Sequence, residues 1–357
     1  MARAELVVDR LVATGFIRPS VLWRGLQHSR PSFSHWGVGL LIGLSGLLVE
    51  PLAWLQSLLY AQRLRRVQLP DDPIVIIGHW RSGTTYLHQL LACDPAVATA
   101  RNTLTMAPQV ALLLQPWIAP LMKVWMTRVR PIDAVPWGPD DPQEDELGLA
   151  RLTFDTNMGG MAFPRDYLAN FRRHVLETST AYERQWLTFC RLTWLHDGAG
   201  KSHWLIKNSV HTARVSLVLK HFPRAQFVLL RRSPVDSIRS LVQVKQRLGA
   251  LVGLQPLPDP PTQVEETATA HRELLEAFEA SRHLIPAQQL LELDYDDLIS
   301  QPLQAVEGIY THFDLTSWPV AEAPIKARID RARSYTADPV QLPPLAERRL
   351  QELMKAS

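Results

Sequence analysis

The sequence predicts an α/β fold: a mostly parallel central sheet flanked by helices, with an extra helical segment ahead of it. Three observations carry this. Ile74, Val75, Ile76 and Ile77 form a short β-branched run without charge, which suits a strand buried on both faces. Gly78 and Gly83 bracket a tight loop, and Thr84 and Thr85 open a segment with Leu87, Leu90 and Leu91 at helical spacing. Three further strand patterns, at 204–206, 226–230 and 289–295, each run into a turn or a helix start.

Taken in order, residues 1–35 read as one short amphipathic helix followed by loop. Residues 1–20 carry Arg3, Glu5, Asp9, Arg10 and Arg18, without the continuous apolar core of a secretory signal. Residues 36–67 read as helical, with Leu41, Leu44, Leu48, Leu55 and Leu59 in one stripe and a break at Pro51. The default reading is a helical hairpin packed on the core. The other is an interfacial helix whose apolar face sits among acyl chains and whose tail, Arg63, Arg65 and Arg66, attracts anionic lipid. Neither half of this segment reaches the roughly 20 residues of a spanning helix.

The strand at 74–77, its glycine loop and the following helix form a P-loop-like unit, which presents backbone N–H groups and a helix N-terminus to phosphate. Gly78, Gly83 and Thr85 match the triphosphate loop G-x-x-x-x-G-K-[ST], but Thr84 stands in the lysine position. That lysine serves the β- and γ-phosphates, so its loss argues against ordinary ATP or GTP hydrolysis. A cation lies inside the loop instead, at Arg81, beside Ser82.

Residues 104–126 are apolar and cut by Pro108, Pro116 and Pro120 into short helices, as core or as the wall of a hydrophobic pocket. Prolines hold 130–142 as loop. Glu144, Asp145 and Glu146 then fill the first turn of a helix, where acids complement the dipole. One of these carboxylates is also a candidate general base: Glu144, with Glu146 as the alternative. Residues 150–200 read as mostly helical, with Trp186, Phe189 and Trp194 as core. Lys207 emerges at the C-terminal end of the second strand, where open α/β sheets place ligands. Arg232 ends the third strand, Pro234 starts a helix, and Ser240 follows about two turns on. Residues 249–263, rich in Pro and Gly, read as a loop or lid. Residues 265–284 read as an amphipathic helix, and the fourth strand ends at Tyr295.

Composition bounds the rest. At 357 residues, 46% hydrophobic and 20% charged, the chain is globular, and a net charge of +3 without a basic, aromatic-interleaved run does not suggest a nucleic-acid binder. Cys93 and Cys190 give no disulfide framework or metal spacing, so a reducing compartment, the cytoplasm, is the expected setting. The interfacial reading adds peripheral contact at the inner face of the membrane through residues 36–66.

The stretch G-H-W-R-S-G-T-T-Y-L resembles the 5′-phosphosulfate loop of sulfotransferases that use 3′-phosphoadenosine 5′-phosphosulfate (PAPS), and looks most like the bacterial branch whose loop reads G-H-W-R-S-G-T-T. The resemblance implies that Ser82, Gly83, Thr84 and Thr85 hold the donor's 5′-phosphate and that Arg81 contacts the bridging oxygen. It implies that Lys207 contacts the leaving side and the transferring sulfuryl group, and that Arg232 and Ser240 bind the 3′-phosphate. Tyr86 and Tyr295 match positions near adenine. P-Q-E-D-E-L, at 142–147, resembles an acidic motif of the same branch. Cytosolic members carry a catalytic histidine two residues after the lysine; here that residue is Ser209, and the nearest histidine, His211, reads as structural. Their C-terminal R-K-G motif is missing, leaving Lys326, Arg328, Arg331 and Arg333 as substitutes. The resemblance covers roughly residues 70–315 of an expected single domain, 1–357, with 1–69 as a helical extension.

The function so implied is sulfuryl transfer from PAPS, without a metal, to a hydroxyl of a hydrophobic or lipid-like alcohol. Two other classes stand beside it: a P-loop nucleotide kinase or ATPase, and a non-catalytic membrane-associated protein with a relic fold.

Overall fold

The computed structural model describes residues 10, 14–126, 130, 137–332 and 340–355. The start of the helix expected within 1–35, the loop at 131–136 and Arg333 lie outside the described residues. Five strands pair in parallel: β1 (Ile74–Ile77), β2 (Val97–Thr99), β3 (His203–Lys207), β4 (Gln226–Arg231) and β5 (Leu290–Asp294). Their order is β2-β3-β1-β4-β5. The first strand is thus central, with Ile76 in register with Lys207 on one side and Val228 on the other. The chain leaves β1 toward one edge, returns through β3 and crosses to β4, which makes the ends of these three strands the switch point of the sheet.

Alternation along the strands sorts their side chains into two cores. Val75, Ile77, Ile206, Phe227 and Leu229 pack with Trp186 and Phe189 on one face. Ile74, Ile76, Leu205, Val228 and Leu230 pack with Leu87, Leu90 and Leu91 on the other. The helices that matter below are α1 (Pro19–His28), α2 (Trp36–Arg66), α3 (Thr84–Leu91), α4 (Gln115–Trp125), α5 (Asp145–Leu149), α6 (Thr180–Asp197), α7 (Pro234–Val252), α8 (Pro260–Arg282) and α9 (Trp318–Ala332).

The α/β architecture and four of the strands match expectation; three features do not. The short strand β2 was not foreseen, because three residues between Asp94-Pro95 and Arg101 carry too little pattern to register. Residues 36–66 are not a hairpin: α2 runs straight through Pro51 as one helix. Its leucines point outward, with Leu44, Leu48, Leu55 and Leu59 all exposed, so the stripe is not core packing. Residues 249–263, read as a loop or lid, are loop over 253–259 alone: α7 continues to Val252 and α8 begins at Pro260. The short connection is tied down, since Leu254 N–H donates to the Ala162 carbonyl at 2.7 Å and its own carbonyl accepts from Ser32 N–H at 2.9 Å.

Candidate functional site

The loop after β1 is shaped from within. Gly78 has φ 135° and Gly83 has φ 95°, both in the region that favours glycine. A Cβ on Gly78 would meet the Leu230 carbonyl oxygen at 2.5 Å, and one on Gly83 would meet Tyr295 Cδ2 at 2.6 Å. The Gly78 N–H donates to Thr212 Oγ1 at 2.8 Å. Ser82 is buried, and its hydroxyl donates to the His79 carbonyl at 2.7 Å, so it closes the loop on itself. Thr84 is buried at the start of α3, and Thr85 is half-buried beside it. Arg81 adopts φ 70° within the loop.

Arg81 meets the end of β4. Its Nε donates to Ser240 Oγ on α7 at 2.9 Å. Arg232, one residue past β4, donates through Nη1 to the Arg81 carbonyl at 2.8 Å. The guanidinium of Arg232 also lies over the Tyr295 ring, 4.1 Å from its centroid, a cation–π contact. Its Nε is buried without a hydrogen-bond partner. The preceding arginine turns the other way: Arg231 pairs with Glu292 at 2.6 Å and Glu279 at 3.2 Å. Successive residues at a strand end point to opposite sides, so only the second arginine of the pair reaches the loop.

At the other neighbour of β1, Lys207 closes β3. It is buried, and its ammonium makes an ion pair with Glu144 Oε2. The other oxygen, Glu144 Oε1, is buried and has no hydrogen-bond partner. Glu144 stands at the N-cap position of α5 without a side-chain capping bond and is held in place by Gln143, whose Oε1 accepts its N–H at 2.9 Å. Gln143 in turn donates through its own N–H to the Ala100 carbonyl at 2.8 Å, just past β2. The unforeseen strand thus positions the carboxylate.

Glu146, the alternative base, is sealed. Its oxygens accept from the Asn157 N–H at 2.5 Å and from Asn208 Nδ2 at 3.0 Å, and it is fully buried. Burial pushes its carboxyl up, with the Arg214 charge and these hydrogen bonds opposing. Burial also pushes Asp145 well up, aided by its acidic neighbours. His211 is buried beside Trp186, with ring centroids 5.0 Å apart, and neither ring nitrogen has a partner. Burial, then the nearby Arg214 charge, lowers it to about 3. It is a neutral core imidazole in the short helical turn 209–213, in keeping with its structural reading.

Ser82, Gly83, Thr84, Arg81, Arg232, Ser240 and Tyr295 therefore converge, and Lys207 with Glu144 occupies the adjoining strand end. Tyr86, on α3 and half-buried, packs partly against the core. Of the C-terminal cations, the three among the described residues do not join. Arg328 and Arg331 lie on the side of Cys93, past the C-terminal end of α3, and Lys326 pairs with Glu322 at 2.6 Å along α9. Two residues that matter had no sequence signal. Thr212 is an ordinary threonine in sequence, and Asn208 gains its role only by meeting Glu146. Among the described residues, no group of His, Cys, Asp and Glu is arranged to hold a metal ion.

Parallel sheet, glycine loop and helix start define an α/β protein of the P-loop-like class, with Arg81 and Arg232 at neighbouring strand ends. A model of the sulfotransferase family matches residues 73–319, more than half the chain, and the protein belongs to that family. It is 25% identical to the omega-hydroxy-beta-dihydromenaquinone-9 sulfotransferase Stf3 of Mycobacterium bovis, over 311 residues that make up 85% of this chain and 77% of that protein. The Mycobacterium tuberculosis protein of the same name matches equally. Sulfotransferase STF1 from Mycobacterium tuberculosis superposes with a TM-score of 0.63 at 19% identity, covering 93% of this chain and 90% of that one. STF9 from Mycobacterium avium gives 0.64 at 17% identity, covering 94% of each chain. At these identities the structural likeness is one of fold.

Proposed function

We propose that the protein transfers the sulfuryl group of PAPS to the hydroxyl of a hydrophobic, lipid-like alcohol, as a single catalytic unit in the cytoplasm. One observation carries the reading: Arg81 and Arg232, on different strand ends, meet through the Arg81 carbonyl, with Ser240 bonded to Arg81. A nucleotide bearing separate 5′ and 3′ phosphates needs two such cationic groups side by side. The buried, unpartnered Arg232 Nε suits a phosphate oxygen, so the residues present fit the donor.

In this mechanism the loop backbone and α3 N-terminus hold the 5′-phosphate, and Arg232 with Ser240 selects the 3′-phosphate. Arg81 and Lys207 stabilise charge that grows on the leaving phosphate oxygen. Glu144 accepts the acceptor's hydroxyl proton at Oε1 while Oε2 stays on Lys207, so the alcohol oxygen can attack sulfur as the bond to phosphate breaks. Most of the rate comes from alignment and fixed charge, as in phosphoryl transfer. A lipid-like acceptor is supported by the menaquinone-derived substrate in the name of the relative above. The two free cysteines accord with a reducing compartment.

Titration calorimetry with adenosine 3′,5′-diphosphate in the absence of Mg²⁺, beside a turnover assay with PAPS and a polyprenyl alcohol, tests the proposal. Tight binding and a sulfated product support it. A preference for Mg-ATP over the diphosphate would overturn it in favour of a kinase.

A further inference from the structure

We propose that the outward face of α2, continued by α4, docks the protein on an anionic lipid bilayer, with α2 lying along the membrane plane. The helix is amphipathic in the wrong sense for water. Its inner face is mostly small or polar, with Gly39, Ser45, Gly46, Ala53 and Gln56 buried beside the two larger aliphatics Val38 and Ile42. Its outer face is leucine: Leu48 is 80% exposed and Leu58 is 76% exposed. A helix packed on a core ordinarily does the reverse.

The rotation of α2 is fixed. Gln56 Nε2 donates to the Pro108 carbonyl at 2.9 Å, and its Oε1 accepts from the N–H groups of Leu112 at 2.8 Å and Leu113 at 3.1 Å. A Cβ on Gly46 would lie 2.0 Å from the Ile17 carbonyl oxygen, so no other residue fits that close approach. Between Trp36 and Gln62 the helix has one charge, Glu50, and Arg18 takes both its oxygens at 2.9 Å. Unbroken at Pro51, the helix is long and apolar enough to cross a membrane, which neither half alone would be; these contacts along its length hold it to the body, and on them we place it along the membrane plane. From Trp36 to Leu59 it presents about 36 Å of apolar surface. On α4, Trp117, Leu121 and Val124 are exposed, while Ile118 and Met122 share a core cluster with Ala53, so the two faces adjoin.

Hydrocarbon fits this surface better than a protein does. A protein interface makes roughly one hydrogen bond per 100–200 Å², yet from Trp36 to Leu59 the one exposed side chain with a hydrogen-bonding group besides the tryptophans is Ser57. Trp36, Trp54 and Trp117 are exposed on or beside the face, and tryptophan favours the headgroup level. Arg63, Arg65 and Arg66 stand exposed in the last turn, placed for anionic headgroups.

The test is flotation of the full-length protein with phosphatidylcholine vesicles, with and without phosphatidylglycerol, beside light scattering in solution. The wild-type protein should float with anionic vesicles. The double variant Leu48→Glu, Leu58→Glu should keep its thermal melt, because both side chains are exposed, and lose at least about a hundredfold in partitioning. Arg63→Gln, Arg65→Gln and Arg66→Gln together should cost on the order of a hundredfold on anionic vesicles and little on neutral ones. No flotation at any composition overturns the proposal. So does equal flotation of the glutamate variant, or a wild-type dimer that this variant dissociates without any binding to vesicles. Flotation needs no turnover, so this inference and the sulfotransfer reading stand or fall separately.

Discussion

Arg232 donates through Nη1 to the main-chain carbonyl of Arg81, 2.8 Å away. The contact crosses from the end of β4 to the loop after β1, two positions 151 residues apart in the chain. It makes one cationic group of two motifs, and it divides the consequences of their mutation.

Arg232→Ala should weaken adenosine 3′,5′-diphosphate by about ten- to a hundredfold, the worth of a charged hydrogen-bonded pair. Adenosine 5′-phosphate should lose far less. Arg232→Lys should not restore the difference, because an ammonium lacks the planar fork and its contact with the Tyr295 ring. Calorimetry on both nucleotides decides, and an equal loss for the two would remove Arg232 from the 3′-phosphate.

Arg81→Ala should lower kcat by roughly a hundredfold or more, if charge on the leaving oxygen is what it stabilises. Steady-state kinetics with saturating donor measures this, and near-normal turnover would reject the role.

The two candidate carboxylates should separate by measurement. Glu144→Gln should reduce kcat by about 10²–10⁴-fold while leaving diphosphate affinity nearly intact. Glu146→Gln should instead cost roughly 1–3 kcal/mol of stability, because an amide cannot satisfy both the Asn157 N–H and Asn208 Nδ2 as the carboxylate does. Urea melts and turnover on both variants check this. A Glu146→Gln enzyme as stable as wild type but inactive would reverse the assignment.

Gly83→Ala should impair both fold and binding, since the new methyl enters a positive-φ position and lies 2.6 Å from Tyr295 Cδ2. A loss of about 1–3 kcal/mol is expected for the backbone alone. Shortening the obstacle with Tyr295→Ala in the same chain should relieve the steric part and not the φ strain. A double-mutant cycle without coupling would contradict the contact.

Acid should destabilise the protein partly through His211. Its native value is held at about 3 by burial, against about 6.5 when unfolded. Between those values the unfolded chain binds a proton that the native chain refuses. The contribution is intact above about pH 6.5 and is lost as pH falls toward 3, with a slope of up to about 1.4 kcal/mol per unit. His271, lowered to about 4 by burial, acts in the same direction. His211→Phe should flatten the dependence of the urea midpoint between pH 7 and pH 5 by about one proton. An unchanged slope would count against the buried neutral state.

Much of this was legible because the phosphate-facing parts are local. A β-branched run, two glycines and the following helix are contiguous, so residues 74–91 announce a strand, a loop and an N-terminus together. Lys207 ends its strand, Arg232 and Tyr295 follow theirs by one residue, and a parallel sheet gathers its strand ends on one side. What failed was non-local. Nothing near Pro51 says whether the helix continues, because Gln56 and Gly46 hold it by contacts with the 108–113 segment and Ile17. Leucine spacing gives a stripe but not its direction, and here the buried glutamine decided which side faced inward. The proline- and glycine-rich stretch suggested mobility, yet Leu254 binds two distant backbone groups. Glu144 already stood ahead of Glu146 in the sequence, but that Glu146 is sealed by Asn157 and Asn208 while Glu144 Oε1 lacks a partner is a matter of distant contacts.

The braces inside the loop, from Ser82 to His79 and from Gly78 to Thr212, are bonds of the chain to itself. The mould is cast when the chain folds, so an arriving phosphate need not gather a floppy segment around itself. Recognition by such a rigid hollow is governed by how fast the two partners collide and how well they match. The heat capacity released on binding should then scale with covered surface alone, with no share from newly ordered backbone.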